Sequence, residues 1–105
     1  MARFDVFRNE YANSNRRFPY FLTLQSDLLQ ELSTCVIAPL GRPSIVGGRL
    51  AQTLAPELDI DGERYVLYVP ELAAVPVAVL RKRVTNLEAQ RDTILCALDF
   101  LFSGI

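Results

Sequence analysis

Hydrophobic residues fall at alternate positions in several short runs along this chain, and each such run reads as a β-strand. The first is Phe4 to Phe7, with Phe4 and Val6 on one face and Asp5 and Phe7 on the other. The polar, turn-rich stretch Asn9 to Arg17 is then a loop. Phe18 to Gln25 is aromatic and β-branched enough for a second strand, Pro19 being confined to its start or to an edge. Ser26-Asp27 closes that strand, and Leu28-Leu29 follows as an exposed apolar pair in a turn. A third strand spans Ser33 to Pro39 and is broken by Gly41-Arg42-Pro43. Gly47 to Ala55 has weak helical spacing and reads as a short turn of helix or an extended loop. Leu58 to Ile60 and Glu63 to Val69 flank Asp61-Gly62, the strongest hairpin signal in the chain, because glycine tolerates the positive φ of a tight primed turn. Ala73 to Leu80 is a last strand, interrupted by Pro76, which cannot donate to a ladder.

The period then changes. From Val84 to Ile105, Leu87, Arg91, Ile94, Leu98 and Leu101 recur at steps of three and four, which predicts a helix. Thr85 is the expected N-cap, with Glu88 at the capping-box spacing, and Gly104 suits a left-handed C-cap. Polar residues crowd the first half, whereas Ile94 to Phe102 keeps only Asp99 as a charge. A helix apolar all round is normally buried on more than one side. It either packs on its own sheet alone, or its end lies at a subunit contact and leaves a tip for a target protein. Five or six short strands followed by one helix give a mainly β, α+β fold, an antiparallel sheet curled into a small barrel-like body with the helix across it.

The 105 residues suit one domain, 1–105, with a modest core. A net charge of −1 and a pI near 5.3 supply no general attraction for nucleic acid. No run approaches the ~20 apolar residues of a membrane span, and the charged opening MARFDVFRNE is neither signal peptide nor anchor, so a cytoplasmic location is expected. Cys35 and Cys96 match no metal spacing and are expected to be buried free thiols. The lack of histidine removes the commonest general base and metal ligand. No catalytic triad can be assembled, the carboxylates form no motif, and Gly47-Gly48 lacks the residues of a phosphate loop. No cofactor or metal is therefore expected. Two basic clusters remain, Arg16-Arg17 in the first loop and Arg81-Lys82-Arg83 before the helix. Each is either a solvated face or a docking patch for an acidic peptide.

Several short motifs recur in order along the chain: Phe4-Asp5-Val6, Gln25-Ser26-Asp27 followed by Leu28-Leu29, Pro39-Leu40, Val75-Pro76-Val77, and Phe102-x-Gly104-Ile105. In this order and spacing the chain resembles the CcdB family of toxins, small homodimeric bacterial proteins of type II toxin–antitoxin pairs that poison DNA gyrase. The resemblance implies a curved, SH3-like antiparallel sheet, a smaller sheet beside it and a long C-terminal helix. It implies a two-fold dimer whose interface includes Leu98, Leu101, Phe102 and Ile105. It also implies that paired C-terminal tips enter the gyrase A-subunit dimer and trap the cleaved complex without doing bond chemistry, so that the protein is an inhibitor and not an enzyme.

Carried over by position, the gyrase-facing residues are Leu28, Leu29, Asp99, Phe102, Ser103, Gly104 and Ile105. Arg16 and Arg17, as a basic docking patch for an acidic peptide, are the candidate antitoxin contacts. The cognate antitoxin is expected to bind through a disordered C-terminal segment that folds on binding. DNA is met only through gyrase or antitoxin, and no membrane is involved. The family pattern has Trp between Phe and Gly where this chain has Ser103, so a large aromatic anchor is replaced by a small polar one. The basic run Arg81-Lys82-Arg83 likewise departs from the pattern, where a partly acidic stretch is expected. Two other functions fit the same fold. One is an endoribonuclease toxin using Arg16, Arg17 and Ser44; the other is a non-toxic scaffold that binds an antitoxin.

Overall fold

The computed structural model describes residues 1–43 and 53–104. Seven strands form one antiparallel sheet in the order β4-β5-β3-β2-β1-β7, with β6 also paired to β3. They are β1 (Asp5–Arg8), β2 (Tyr20–Thr23), β3 (Thr34–Gly41), β4 (Glu57–Ile60), β5 (Glu63–Leu67), β6 (Ala73–Pro76) and β7 (Arg83–Asn86). A helix, α1 (Arg91–Ser103), follows. The mainly β, α+β class expected from the sequence is the one observed.

The eight-residue strand β3 organises the sheet. One of its edges takes β2, in register from Tyr20↔Leu40 to Thr23↔Ile37. Its other edge is shared: Leu40 and Gly41 pair with β5, while Thr34 to Ile37 pair with β6. The chain takes six steps from Leu67 to Ala73 while β3 takes three from Leu40 to Ile37, so three residues are looped out. They emerge as the 3-10 turn Val69–Glu71, whose Val69 is fully buried and which contacts α1. The β4–β5 hairpin forms an arm joined to the same sheet through Leu40 and Gly41, so that among the described residues the smaller second sheet implied by the resemblance is not separate. Its turn residues Asp61 and Gly62 have φ of 52° and 89°, the two positive values of a type I′ turn.

Strand alternation sorts the core onto two faces. Phe4, Val6, Leu22, Leu40, Leu58 and Leu67 line one of them, and α1 covers it with Ile94 and Ala97. Leu95, Leu98 and Leu101 pack against the same cluster while staying partly open to solvent. Phe7, Phe21, Cys35, Ile37, Val75 and Leu80 form the other face. The expected partition of Phe4 and Val6 from Phe7 is therefore the observed one.

Five expectations are corrected. Among the described residues there are seven strands where five or six were expected, because residues 83–86, read as the approach to the helix, form β7. Thr85 is consequently not an N-cap but a strand residue opposite Val6. Hydrogen bonds from Arg8 N to the Lys82 carbonyl (3.0 Å) and from Leu87 N to the Phe4 carbonyl (2.8 Å) tie both ends of β7 to β1. The side-chain acceptor for the turn that follows is instead Asn86 Oδ1, which takes the Glu88 N–H at 2.8 Å. The strand beginning at Ala73 ends at Pro76, not Leu80, and passes into the 3-10 turn Val77–Val79. Gly41 does not break β3 but is its last paired residue, opposite Val66. Cys35 is buried as expected, whereas Cys96 lies on the outer side of α1 and is exposed.

Candidate protein-binding site

Two protruding apolar tips stand out from the described surface. The first is the 3-10 turn Asp27–Leu29 between β2 and β3. Leu28 is 92% exposed and Leu29 47%, a level of exposure that burial energetics alone would not select for leucine. Leu32, just beyond the turn, is also half exposed. The turn is nevertheless closely tied. Ser26 Oγ accepts the Leu28 N–H at 3.2 Å, and the Ser26 carbonyl accepts the Leu29 N–H at 3.0 Å. Asp27 accepts the backbone N–H of Arg3 from the N-terminal segment.

The second tip is the end of α1. Phe102 and Ser103 lie one turn beyond Asp99, so each neighbours it on the helix surface, and all three are exposed. Phe102 keeps 72% of its surface open. Gly104 closes the helix with φ 73°, and its N–H bonds the Phe100 carbonyl at 2.9 Å, the left-handed C-cap expected of glycine there. A Cβ on Gly104 would meet nothing within 4 Å, so its role inside the subunit is conformational. The apolar second half of α1 is thus only half accounted for: Ile94 and Ala97 are buried, and Cys96 and Phe102 face outward. Leu98 and Leu101 serve the subunit's own core with one side and remain partly open on the other. Ile105 and Ser44, both named from the sequence, lie outside the described residues, as does most of Gly47 to Ala55. No hydrogen bond joins the two tips among the described residues.

The basic clusters separate into engaged and open groups. Arg83 Nε donates to Asp5 Oδ1 at 3.0 Å, and Lys82 Nζ sits 3.4 Å from Glu10. Two of these three cations are therefore used within the subunit. Arg16 and Arg17 are exposed, and the Arg17 guanidinium stacks over the Phe18 ring at 5.0 Å. The Arg17 backbone runs close to Gly41, where a Cβ would lie 2.9 Å from the Arg17 carbonyl oxygen and 3.0 Å from the Tyr68 ring. Burial pushes the Tyr68 hydroxyl up, the Arg17 charge offsetting part of the rise. Tyr65 is pushed up to about 12, by burial first and then by its bond to Glu63. Both phenols stay protonated at neutral pH and are poor bases.

One polar centre was not anticipated from the sequence. Asp5, 2% exposed, accepts from Ala2 N at 2.8 Å, Asn86 Nδ2 at 2.9 Å and Arg83 Nε at 3.0 Å. Burial alone would raise its pKa, but the bonds from Asn86, Ala2 and Arg83 together with the Arg83 charge hold it below the ordinary aspartate value. Its place in an alternating strand gives no hint of burial; the distant Arg83 and Asn86 explain it.

The described molecule is a curled antiparallel sheet with a helix on one face and two exposed apolar tips. The chain belongs to the CcdB protein family, which it matches over residues 3–104. Membership makes it the toxin of a toxin–antitoxin pair, with an antitoxin as partner. No helix among the described residues is long and apolar enough to cross a membrane.

Proposed function

We propose that this toxin acts in the bacterial cytoplasm as a single-domain homodimer that binds the DNA gyrase A subunit and holds the cleaved gyrase–DNA complex. The observation that carries the reading is the exposure of Phe102 at the end of a capped helix, in a chain of this family. A large aromatic left 72% open costs hydration free energy in the isolated subunit and becomes favourable only when a partner covers it. The open sides of Leu98 and Leu101, with Phe102 and Ile105, supply the two-fold contact. Asp99, Phe102, Ser103, Gly104 and Ile105, together with Leu28 and Leu29, form the gyrase-facing surface. The protein works by binding and not by catalysis; Arg16 and Arg17 face the antitoxin.

The test is a supercoiling and cleavage assay on relaxed plasmid with gyrase and ATP. Linear DNA should accumulate with added protein, and truncation after Phe102 should abolish it while leaving the dimer folded. RNA cleavage in the absence of any topoisomerase, lost in Arg17→Ala, would replace this reading with the ribonuclease one. Inertness in both assays alongside tight antitoxin binding would leave the scaffold.

A further inference from the structure

The Leu28–Leu29 turn has a feature that exposure alone does not explain. A turn carrying a leucine that is 92% exposed gains no order from packing of that side chain. Its order comes from elsewhere. Gln25, two residues before the turn, reaches across it with its side-chain amide: Nε2 donates to the Leu29 carbonyl at 3.4 Å and to the Thr34 carbonyl at 3.1 Å, while Oε1 accepts the Val36 N–H at 3.2 Å. One side chain thus ties the end of the turn to the first residues of β3. The Leu29 carbonyl also accepts the Leu32 N–H at 3.2 Å, so the same atom anchors both halves of the loop.

We propose that Gln25 is a positioning residue for partner binding: its amide fixes the turn so that Leu28 is presented already ordered. This role rests on the gyrase reading given above. Gln25 itself need not touch the partner. Its effect is to remove in advance the ordering cost that a loose loop would incur on binding. A carboxylate at this position keeps the acceptor for Val36 N–H but loses both donations, so Gln25→Glu separates the two halves of the bridge.

The experiment has two readouts. In the free protein, backbone ¹⁵N order parameters of Leu28 and Leu29 should match those of the strands, and should fall below about 0.6 in both Gln25→Ala and Gln25→Glu. With purified gyrase A subunit as the probe, Gln25→Ala should weaken binding about tenfold, the scale of one side chain's ordering cost. The same change made on Leu28→Ala should cost less than about twofold, since the turn then has nothing left to present. Unchanged order parameters overturn the role, as do equal losses in the two backgrounds. Failure of the parent chain to bind gyrase overturns the gyrase reading and this role together. Binding by the parent with additive losses overturns only the role of Gln25.

Discussion

The side-chain amide of Gln90 bonds both backbone polar groups of Asp59: Oε1 accepts the Asp59 N–H at 2.9 Å, and Nε2 donates to the Asp59 carbonyl at 2.8 Å. Asp59 sits in β4, the outermost strand of its arm, where backbone groups would otherwise offer a template for another chain. Gln90 is also the residue immediately before α1. One amide therefore imitates a neighbouring strand for one residue and fastens the start of the helix to the sheet edge. Gln90→Ala should lower stability by about 1–2 kcal/mol, the scale of two exposed neutral hydrogen bonds. A melting temperature within a degree of the parent's would show that the pairing contributes nothing.

Asp5 gives the protein an acid limit with a defined sign. Its carboxylate has a folded pKa below the ordinary value of 3.8, so its stabilisation is fully present above that value and is lost as pH falls through the folded pKa. Urea midpoints measured from pH 6 downward should fall below about pH 4 more steeply in the parent than in Asp5→Asn. At pH 7 the substitution should cost about 1–3 kcal/mol, because Arg83 and Ala2 lose a charged acceptor. Parallel acid profiles for the two proteins would remove Asp5 as the group responsible.

The contrast between these two residues shows what the sequence could and could not say. The Asp61-Gly62 hairpin, the face pattern of Phe4, Val6 and Phe7, and the exposed Leu28-Leu29 pair are legible because each depends on neighbours in the chain. β7 was hidden for the opposite reason. Arg83–Asn86 carries local helix-start signals, and only pairing with β1, nearly eighty residues earlier, makes it a strand. The same separation, 78 residues between Arg83 and Asp5, conceals the polar centre and the engaged state of a basic cluster that reads as free. At the helix end, the Gly104 cap was readable from local chemistry, whereas Phe102 entered as a target contact only through the family resemblance. The bridging amide of Gln25 was not, since its partners Thr34 and Val36 are fixed by the fold.

Gly41 is required for a close approach rather than for an unusual φ. A methyl group there would lie 2.9 Å from the backbone oxygen of Arg17 and 3.1 Å from the Phe18 ring. A backbone atom cannot swing aside as a side-chain end can, so Gly41→Ala should cost about 1–3 kcal/mol and displace the Arg16-Arg17 loop. Antitoxin affinity, measured by calorimetry, should fall with it. A variant as stable as the parent would mean that the loop yields freely.

The two thiols should differ sharply in reactivity. Cys96 is exposed on α1, while Cys35 is 3% exposed and burial raises its pKa, which lowers its thiolate fraction further. A thiol reagent at neutral pH should therefore label one equivalent rapidly in the native protein and a second only on unfolding, with Cys96→Ser removing the rapid one. Slow labelling of both in the assembled protein would place Cys96 beneath a second subunit, which bears directly on the dimer.

Ser103 offers the most decisive substitution, because it is exposed and no described hydrogen bond depends on its side chain. It follows the open Phe102 and precedes the left-handed Gly104, so a larger side chain there meets solvent and not the core. Ser103→Trp should leave the melting temperature within a few degrees of the parent. If the helix end enters gyrase, a buried indole at its centre should strengthen inhibition by tenfold or more, the worth of a typical aromatic anchor of about 2 kcal/mol. Supercoiling assays across a concentration series read this directly. Stronger trapping would fix the helix end as the contact and identify Ser103 as the residue that sets the strength of this toxin. Unaltered inhibition by both Ser103→Trp and the truncation after Phe102 would move the contact away from the helix end altogether, leaving the Leu28–Leu29 turn as the surface to test next.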